Sequence, residues 1–128
     1  MSYYFSKKVS LSFDEAIERV TEELKKDGFG ILTEIDVTAT LKKKLDVDFK
    51  KYRILGACNP GFAYKSLTFE DKIGTMLPCN VIVQEHAPGD VEISAIDPVA
   101  SMKAVENPAL GDVAMQVQAL LKGVIDRC

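Results

Sequence analysis

The sequence predicts one α+β domain whose helices pack mostly on one face of a mixed or mainly antiparallel sheet. Three observations lead to this fold class. Apolar residues alternate with polar ones in several short stretches, as in strands, and recur at helical spacing in two longer ones. Asn-Pro or Asp-Pro, a helix-start signature, occurs three times. No stretch has the composition of a linker, a repeat or a low-complexity segment, so residues 1–128 are predicted to form a single compact domain.

The first quarter of the chain predicts an edge strand followed by a helix. Residues 3–9 alternate and include two lysines, which suits a strand at the edge of a sheet. Ser12 and Glu15 form a capping-box pattern that starts the helix, and Gly28 can end it. The apolar residues that follow the cap share one helical stripe: Phe13, Ala16, Ile17, Val20 and Leu24.

The middle of the chain predicts two further strands around a short helix. Residues 29–37 alternate, and we expect their odd-numbered positions to face the core: Phe29, Ile31, Thr33, Ile35 and Val37. Residues 38–45 suit a short helix capped by Asp36 or Thr38, and 46–51 suit an irregular turn. Residues 52–58 are apolar on both faces, which predicts a strand inside the sheet.

The second half predicts two short helices, a hairpin and a closing helix. Asn59-Pro60 opens a helix over residues 60–70, and a second is expected over 72–77, capped by Asp71. Strands are predicted over 79–85 and 90–97, with His86 in the loop between them. Asp97-Pro98 opens a short helix to about residue 105, and Asn107-Pro108 opens the last one.

Composition limits the class of protein. Of the 128 residues, 47% are hydrophobic and 27% charged, which is ordinary globular composition. The net charge of −3 argues against general nucleic-acid binding, and the lysines over 42–51 are interpreted as a solvated helix face. No stretch approaches the roughly 20 apolar residues of a membrane span. Residues 1–8 do not resemble a secretory leader, so a cytoplasmic location is expected, with the three cysteines as thiols.

Two Cys-Asn pairs mark the candidate site, each where one element gives way to another. One run is Cys58-Asn59-Pro60-Gly61 and the other is Pro78-Cys79-Asn80. If two helices lie between them, the chain returns to the sheet end it left, and both runs share one edge. A single crossover helix would instead place the thiols at opposite ends. We favour the first arrangement, because Asp71 can cap a second helix and Gly74 weakens a continuous one.

The residues around this site resemble a known family. Residues 52–60, Ala63-Tyr64, Ile73-Gly74 and 77–81, with Asp97-Pro98, are similar to the pattern of the domain-of-unknown-function family 302. The resemblance covers most of the chain. It implies a bacterial or archaeal domain of β-α-β(4)-α type, and it implies no activity and no catalytic residue.

Several kinds of chemistry can be weighed at the site. Cys58 precedes a helix start, where backbone amides favour a thiolate, but free cysteines are more commonly small buried hydrophobes. Zinc would need about four ligands, and His86 lies too far along its strand from Cys79, so no metal site is predicted. A Ser-His-Asp set is not supported by the single histidine, and no catalytic residue is predicted.

The favoured hypothesis is a non-enzymatic binding or assembly module that takes a small anionic ligand at the sheet end, and the family resemblance implies that it forms a homodimer. Amides at a helix start can hold an anion, Asn80 could add a side-chain amide, and Tyr64 could add a hydroxyl. The ligand-binding residues are predicted to be these: Cys58, Asn59, Pro60, Gly61, Tyr64, Cys79 and Asn80. The alternative is a thiol-dependent redox enzyme or sensor that uses Cys58 and Cys79. The sequence identifies no cofactor.

Overall fold

Five strands form one antiparallel sheet in the computed structural model of the protein, which describes residues 2–128. Met1 belongs to the N-terminal stretch, residues 1–8, that was compared with a secretory leader, and it lies outside the described residues. Helices and strands alternate along the first two thirds of the chain. In order they are β1 (Tyr4–Val9), α1 (Phe13–Lys26), β2 (Gly30–Asp36), α2 (Val37–Leu45), β3 (Lys51–Cys58), α3 (Pro60–Phe69), a 3-10 helix (Asp71–Met76), β4 (Cys79–Ala87), β5 (Asp90–Ile96), α4 (Pro98–Ser101) and α5 (Pro108–Arg127).

The strand order β1-β5-β4-β3-β2 confirms the predicted fold class and edge strand. Each neighbouring pair is antiparallel, and β3 lies inside the sheet, as its two apolar faces predict. One face of the sheet packs against α1 and α5 to form the hydrophobic core. Within residues 2–128, no helix is long and apolar enough to cross a membrane.

The core consists of the apolar stripes of α1 and α5 packed against every second residue of the strands. The capping box predicted at the start of α1 is present, because Ser12 accepts from the Glu15 amide and Glu15 accepts from the Ser12 amide. The core side chains from the sheet are fully buried: Leu55, Ala57, Val81, Val83, Val91, Ile93 and Ala95. The valine, leucine and isoleucine side chains among them each stabilise the fold by about 1.5–3 kcal/mol when buried, and the two alanines contribute less.

The face prediction for β2 is wrong after Ile31. The register between β2 and β3 shifts between Ile31 and Thr33, which inserts one residue into β2. A one-residue shift turns the following side chains to the other face, so Ile35 is 47% exposed instead of buried. Glu34 and Asp36 instead lie on the helix-covered side, where both accept hydrogen bonds from Arg53.

Two further elements differ from the sequence prediction. The second short helix is a 3-10 helix, and Glu70 precedes it without a side-chain cap, so Asp71 is not the cap that was predicted. His86 lies in β4 and not in the hairpin loop, because the strand continues to Ala87 and the turn is shorter than predicted. Gly89 supplies the positive φ that this tight turn needs.

An ion-pair cluster fastens the end of the chain to α1. The Glu23 carboxylate is buried, and it accepts from Lys26 Nζ at 2.8 Å and from Arg127 Nε at 2.8 Å. Arg127 also donates to Asp27 at 2.9 Å. The hydrogen bond from Lys26, followed by that from Arg127, lowers the pKa of Glu23 from 4.5 to about 2.

We expect Glu23→Gln to lower the melting temperature at pH 7 and to have progressively less effect as the pH falls toward and below 2. A carboxyl whose pKa is depressed by folding stabilises the fold above its unfolded pKa of 4.5, and this stabilisation is lost as pH falls through about 2. Thermal unfolding of both proteins across this range would measure the difference. The exposed Glu22→Gln is the matched control, and an effect of Glu23→Gln that is constant with pH would contradict the assignment.

Candidate functional site

A cavity of about 330 Å³ lies where the C-terminal end of β3 meets the N-terminal end of β4. Its walls come from that sheet end, from α3 and the 3-10 helix on one side, and from α4 and α5 on the other. Three of these helices begin with the same signal, a short polar cap followed by proline, at Asn59-Pro60, Asp97-Pro98 and Asn107-Pro108. α3 and α4 begin directly after β3 and β5, whereas Asn107 at the start of α5 donates to the Phe69 carbonyl at the end of α3 at 2.8 Å.

The two Cys-Asn runs meet at this end, as the favoured arrangement predicts. β3 and β4 are antiparallel, and Ala57 lies directly opposite Cys79. Cys58 is the next residue along β3 and pairs with Gly30 of β2. The chain between the two strands runs out through α3 and back through the 3-10 helix. The alternative with a single crossover helix, which would have separated the thiols, is therefore wrong.

Three of the seven predicted ligand-binding residues line the cavity: Cys58, Asn59 and Cys79. Tyr64 points away from it on α3 and is 75% exposed. Asn80 lies on the opposite face of the sheet, because successive strand side chains alternate and Cys79 faces the helices. Pro60 and Gly61 start α3 outside the lining.

Asn59 holds the backbone at the cavity's edge. Its Oδ1 accepts from the Phe62 amide at 3.5 Å as the cap of α3, and its Nδ2 donates to the Asp27 carbonyl at 3.2 Å. The turn at Gly28 makes room for it, since a Cβ there would lie 3.0 Å from Nδ2 and φ is +85°. Both polar ends of Asn59 are thus occupied by backbone groups, which is the capping role that competes with anion binding.

Burial keeps the Cys79 thiol protonated. Desolvation raises the pKa of Cys79 from 9.0 to about 11, and the neighbouring Cys58 adds to the rise. A thiol with such a pKa is a poor nucleophile at neutral pH. Cys128, the residue after α5, packs against the core, and its Sγ donates to the Val124 carbonyl at 3.2 Å. Residues 2–128 contain no group of three His, Cys, Asp or Glu side chains that could hold a metal ion.

We expect Cys79 to react with iodoacetamide at pH 8 between about 10 and 100 times more slowly in the native protein than in the unfolded chain. The raised pKa reduces the thiolate fraction about 100-fold, and the greater nucleophilicity of a more basic thiolate recovers part of that loss. Mass spectrometry of the labelled peptides would measure each cysteine separately. Equal native and unfolded rates at Cys79 would contradict its burial and favour the redox alternative.

The lining of the cavity is almost wholly apolar. Ring and aliphatic side chains line it from every wall, among them Phe29, Phe62, Leu67, Met102 and Val117. The buried hydroxyl of Ser66 faces backbone, since it donates to the Phe62 carbonyl at 2.8 Å. Among the described residues that line the cavity there is no lysine or arginine. The arrangement suits a neutral apolar group better than a charged one.

Most of these lining residues were not identified from the sequence. Phe29 and Val117 belong to apolar stripes in the sequence, and such stripes predict only that a side chain faces the core. Met102 follows the Asp97-Pro98 helix start, and Leu67 lies in a helix with apolar residues all round. Nothing in their spacing distinguishes a side chain that fills the core from one that borders a cavity, because that depends on how the helices pack.

A polar network lies apart from the cavity, on the open face of the sheet. Glu92 accepts from Ser6 Oγ at 2.5 Å and from His86 Nε2 at 2.8 Å, and Lys50 Nζ lies 3.2 Å from His86 Nδ1. Ser6 also bonds to Ser94 at 2.9 Å. The hydrogen bonds from Ser6, then from His86, lower the pKa of Glu92. These partners satisfy one another, and beside them the same face carries apolar side chains, among them Tyr4, Ile82 and Ile96.

Comparison with known proteins gives a family and a closely similar structure. A family model described as "Domain of unknown function DUF302" matches residues 5–128. The crystal structure of the uncharacterized conserved protein DUF302 from Bacillus stearothermophilus shares 32% sequence identity and a TM-score of 0.92. That match covers 100% of this chain and 99% of the other. No curated protein matches the sequence.

Proposed function

The chain belongs to the DUF302 family, and for this member we propose that the cavity at the sheet end binds a small, neutral, apolar molecule. The observation that carries the proposal is the lining: an open cavity of about 330 Å³ surrounded by rings, aliphatic side chains and protonated sulfur. Sites for small molecules are typically concave, mostly apolar and few per protein. We assign no catalytic role to the lining residues.

The volume indicates the size of the ligand. A cavity of about 150 Å³ holds one benzene. The cavity here is roughly twice that, so it suits two fused rings or a chain of about a dozen carbon atoms. Hiding about 200 Å² of ligand surface contributes about 5 kcal/mol, and the cost of the ligand's lost translational and rotational freedom offsets part of this gain.

The same lining argues against the small anionic ligand expected from the sequence. An anion needs cationic or free amide donors, and burial without them costs several kcal/mol. The Asn59 side chain already bonds to two backbone groups, and Asn80 faces the other side of the sheet. An apolar ligand replaces solvent in the cavity at no such cost.

A thermal-shift panel tests this function. The panel contains 2-naphthol and 1-octanol as apolar probes, and phosphate and citrate as anions. We expect the apolar probes, near ten times Kd, to stabilise the protein by about 1.4 kcal/mol and raise the melting temperature by several degrees. Stabilisation by the anions alone, or by none of the four, would overturn the proposal.

A homodimer is also part of the proposal. Its support is the group of large apolar side chains that stay exposed on one chain, among them Leu32, Tyr64 and Leu67. Light scattering should give twice the 14.1 kDa mass of the chain, and the mass of a single chain would contradict the homodimer.

A further inference from the structure

A second concave surface lies on the open face of the sheet, on the side away from α1 and α5. We call it the open-face groove. Its volume is about 390 Å³, and it is lined mostly by residues of β1, β3, β4 and β5. Three of the four tyrosines in the chain lie along it: Tyr3, Tyr4 and Tyr52. Hydrogen-bonding side chains lie between these rings: Asn80, Gln84, Glu92 and Ser94.

Strand register sets the shape of the open-face groove. Tyr52 pairs with Gln84, and Gln84 pairs with Glu92, so these three residues form one row across three strands. Asn80 lies four residues before Gln84 on β4, which places it on the same face roughly 13 Å away. Ile82 lies midway between the two amides and forms part of the floor. The groove therefore has polar groups at both ends and an apolar middle.

The two side-chain amides in the groove keep their hydrogen-bonding capacity. Asn80 is exposed and Gln84 is partly exposed. Unlike the Asn59 amide, which bonds to two backbone groups, neither of these amides bonds to another group within residues 2–128. An amide presents a donor and an acceptor side by side, and this pattern pairs with the N6 and N7 atoms of an adenine ring.

Exposed aromatic rings stand beside Asn80 at one end of the groove. Ile96 lies between Asn80 on β4 and its own partner Tyr4 on β1, so Tyr4 and Asn80 are roughly 10 Å apart across β5. The Tyr3 and Tyr4 rings meet edge to face at 5.0 Å, and they are 66% and 45% exposed. Nucleobases stack on aromatic side chains, because every base has a π-face. A base stacked on Tyr4 would therefore lie close to the Asn80 amide.

Glu92 supplies acceptors at the other end of the groove. Ser6 Oγ and His86 Nε2 each donate one hydrogen bond to its carboxylate. A carboxylate has about four acceptor positions, so about two remain for a ligand. Gln84, the partner of Glu92 in the sheet, adds an amide at the same end. In dinucleotide sites a carboxylate accepts from the ribose 2′-hydroxyl, which is the chemistry that this end of the groove offers.

Charge favours a neutral ligand in the groove. Within the described part of the chain, the groove lining contains no lysine or arginine to hold a phosphate, and the Glu92 carboxylate would repel one. The lysines on this side of the sheet have partners of their own. Lys8 Nζ lies 2.6 Å from the Asp90 carboxylate, and Lys50 Nζ lies 3.2 Å from His86 Nδ1. A nucleoside thus fits the groove better than a nucleotide.

We propose that the open-face groove binds a neutral purine nucleoside, with its base stacked on Tyr4 beside the Asn80 amide and its ribose hydroxyls on Gln84 and Glu92. The volume agrees with this ligand, because about 390 Å³ is roughly two and a half times the space that holds one benzene. The groove and the apolar cavity lie on opposite faces of the sheet, so this inference does not depend on the function proposed for the cavity.

Tyrosine fluorescence of the whole chain tests the groove directly. The chain has no tryptophan, and three of its four tyrosines line the groove, so a stacked base should quench most of the signal. We expect adenosine to quench it saturably with one molecule bound per chain, AMP to bind several times more weakly, and maltose not to bind. No saturable effect of adenosine at about 1 mM would overturn the proposal. Tighter binding of AMP, or binding of maltose in place of adenosine, would also overturn it.

Amide variants locate the bound adenosine. Asn80→Ala and Gln84→Ala each remove an amide that has no partner within residues 2–128, and we expect each to weaken adenosine binding roughly fivefold or more with an unchanged melting temperature. Gln116→Ala removes an exposed amide from α5 and should keep the wild-type affinity. Ala63→Phe should also keep it, because Ala63 lines the apolar cavity on the other face. Wild-type affinity in both groove variants, or loss of adenosine binding in Ala63→Phe, would place adenosine outside the groove and overturn the proposal.

Discussion

Replacing Gly56 by alanine is expected to destabilise the protein by about 1–3 kcal/mol or more, which is the cost of overpacking a well-filled interior. A Cβ at this position would lie 2.1 Å from Thr33 Oγ1 and 2.8 Å from Pro78 Cγ. Real Cβ atoms do not come this close to other heavy atoms, so the Thr33 side chain would have to rotate and Pro78, just before β4, would have to move. Because Pro78 immediately precedes Cys79, that movement would reach the cavity lining. Urea or thermal unfolding would measure the loss.

Gly30→Ala provides the control, because nothing lies within 4 Å of the Cβ it would add, although Gly30 is also a strand glycine. We expect its effect to stay within about 0.5 kcal/mol. The double variant Gly56→Ala with Thr33→Ala should recover part of the loss, since the closest contact is to Thr33 Oγ1 and the contact with Pro78 remains. Equal stability of Gly56→Ala and Gly30→Ala would show that β2, β3 and Pro78 do not approach as described.

Local sequence rules predicted the elements of this fold well, because each depends on residues close in the chain. The cap at Ser12, the stop at Gly28 and the Asn-Pro and Asp-Pro starts are all present. Such signals involve side chains that bond to backbone within three residues. These local signals therefore do not depend on how distant parts of the chain pack.

The errors arose where distant contacts override local pattern. Alternation in residues 29–37 predicted a straight strand, but the irregularity between Ile31 and Thr33 reverses the faces after it. Thr33 then lies over Gly56, a contact between strands that no window of sequence contains. His86 shows the same limit, because its place in β4 follows from pairing with β5.

The prediction that the two cysteine runs share one end of the sheet is confirmed, while the anionic ligand expected there stays a prediction. The return of the chain was argued from Asp71 and Gly74, and the runs do meet although Asp71 is not a cap. The face of the sheet on which Asn80 lies depends on strand register. Asn59 bonds to backbone with both polar ends because the Asp27 carbonyl, 32 residues earlier in the chain, lies beside it. The polar residues therefore suggested an anion, while the helices supply an apolar enclosure.

Filling the cavity with an aromatic ring is expected to abolish ligand binding without harming the fold. Ala63 lines the cavity from α3, and Ala63→Phe would place a ring where a ligand would sit. A benzene-sized group takes about 150 Å³, close to half of the space, so a ligand that needs two rings no longer fits. We expect the affinity for 2-naphthol to fall at least tenfold, and the melting temperature to hold or rise, since the ring buries apolar surface.

Ala119→Phe is the matched control, because it adds the same ring to an exposed position of α5. It should leave the affinity for 2-naphthol unchanged and, like most surface changes, alter stability by no more than about 0.5 kcal/mol. The comparison separates a blocked site from a general effect of a larger side chain. Binding of 2-naphthol to Ala63→Phe with wild-type affinity would place the ligand elsewhere. In that case the empty space at the sheet end would be a packing feature of the fold, and the open face around Glu92 and Tyr52 would be the next site to test.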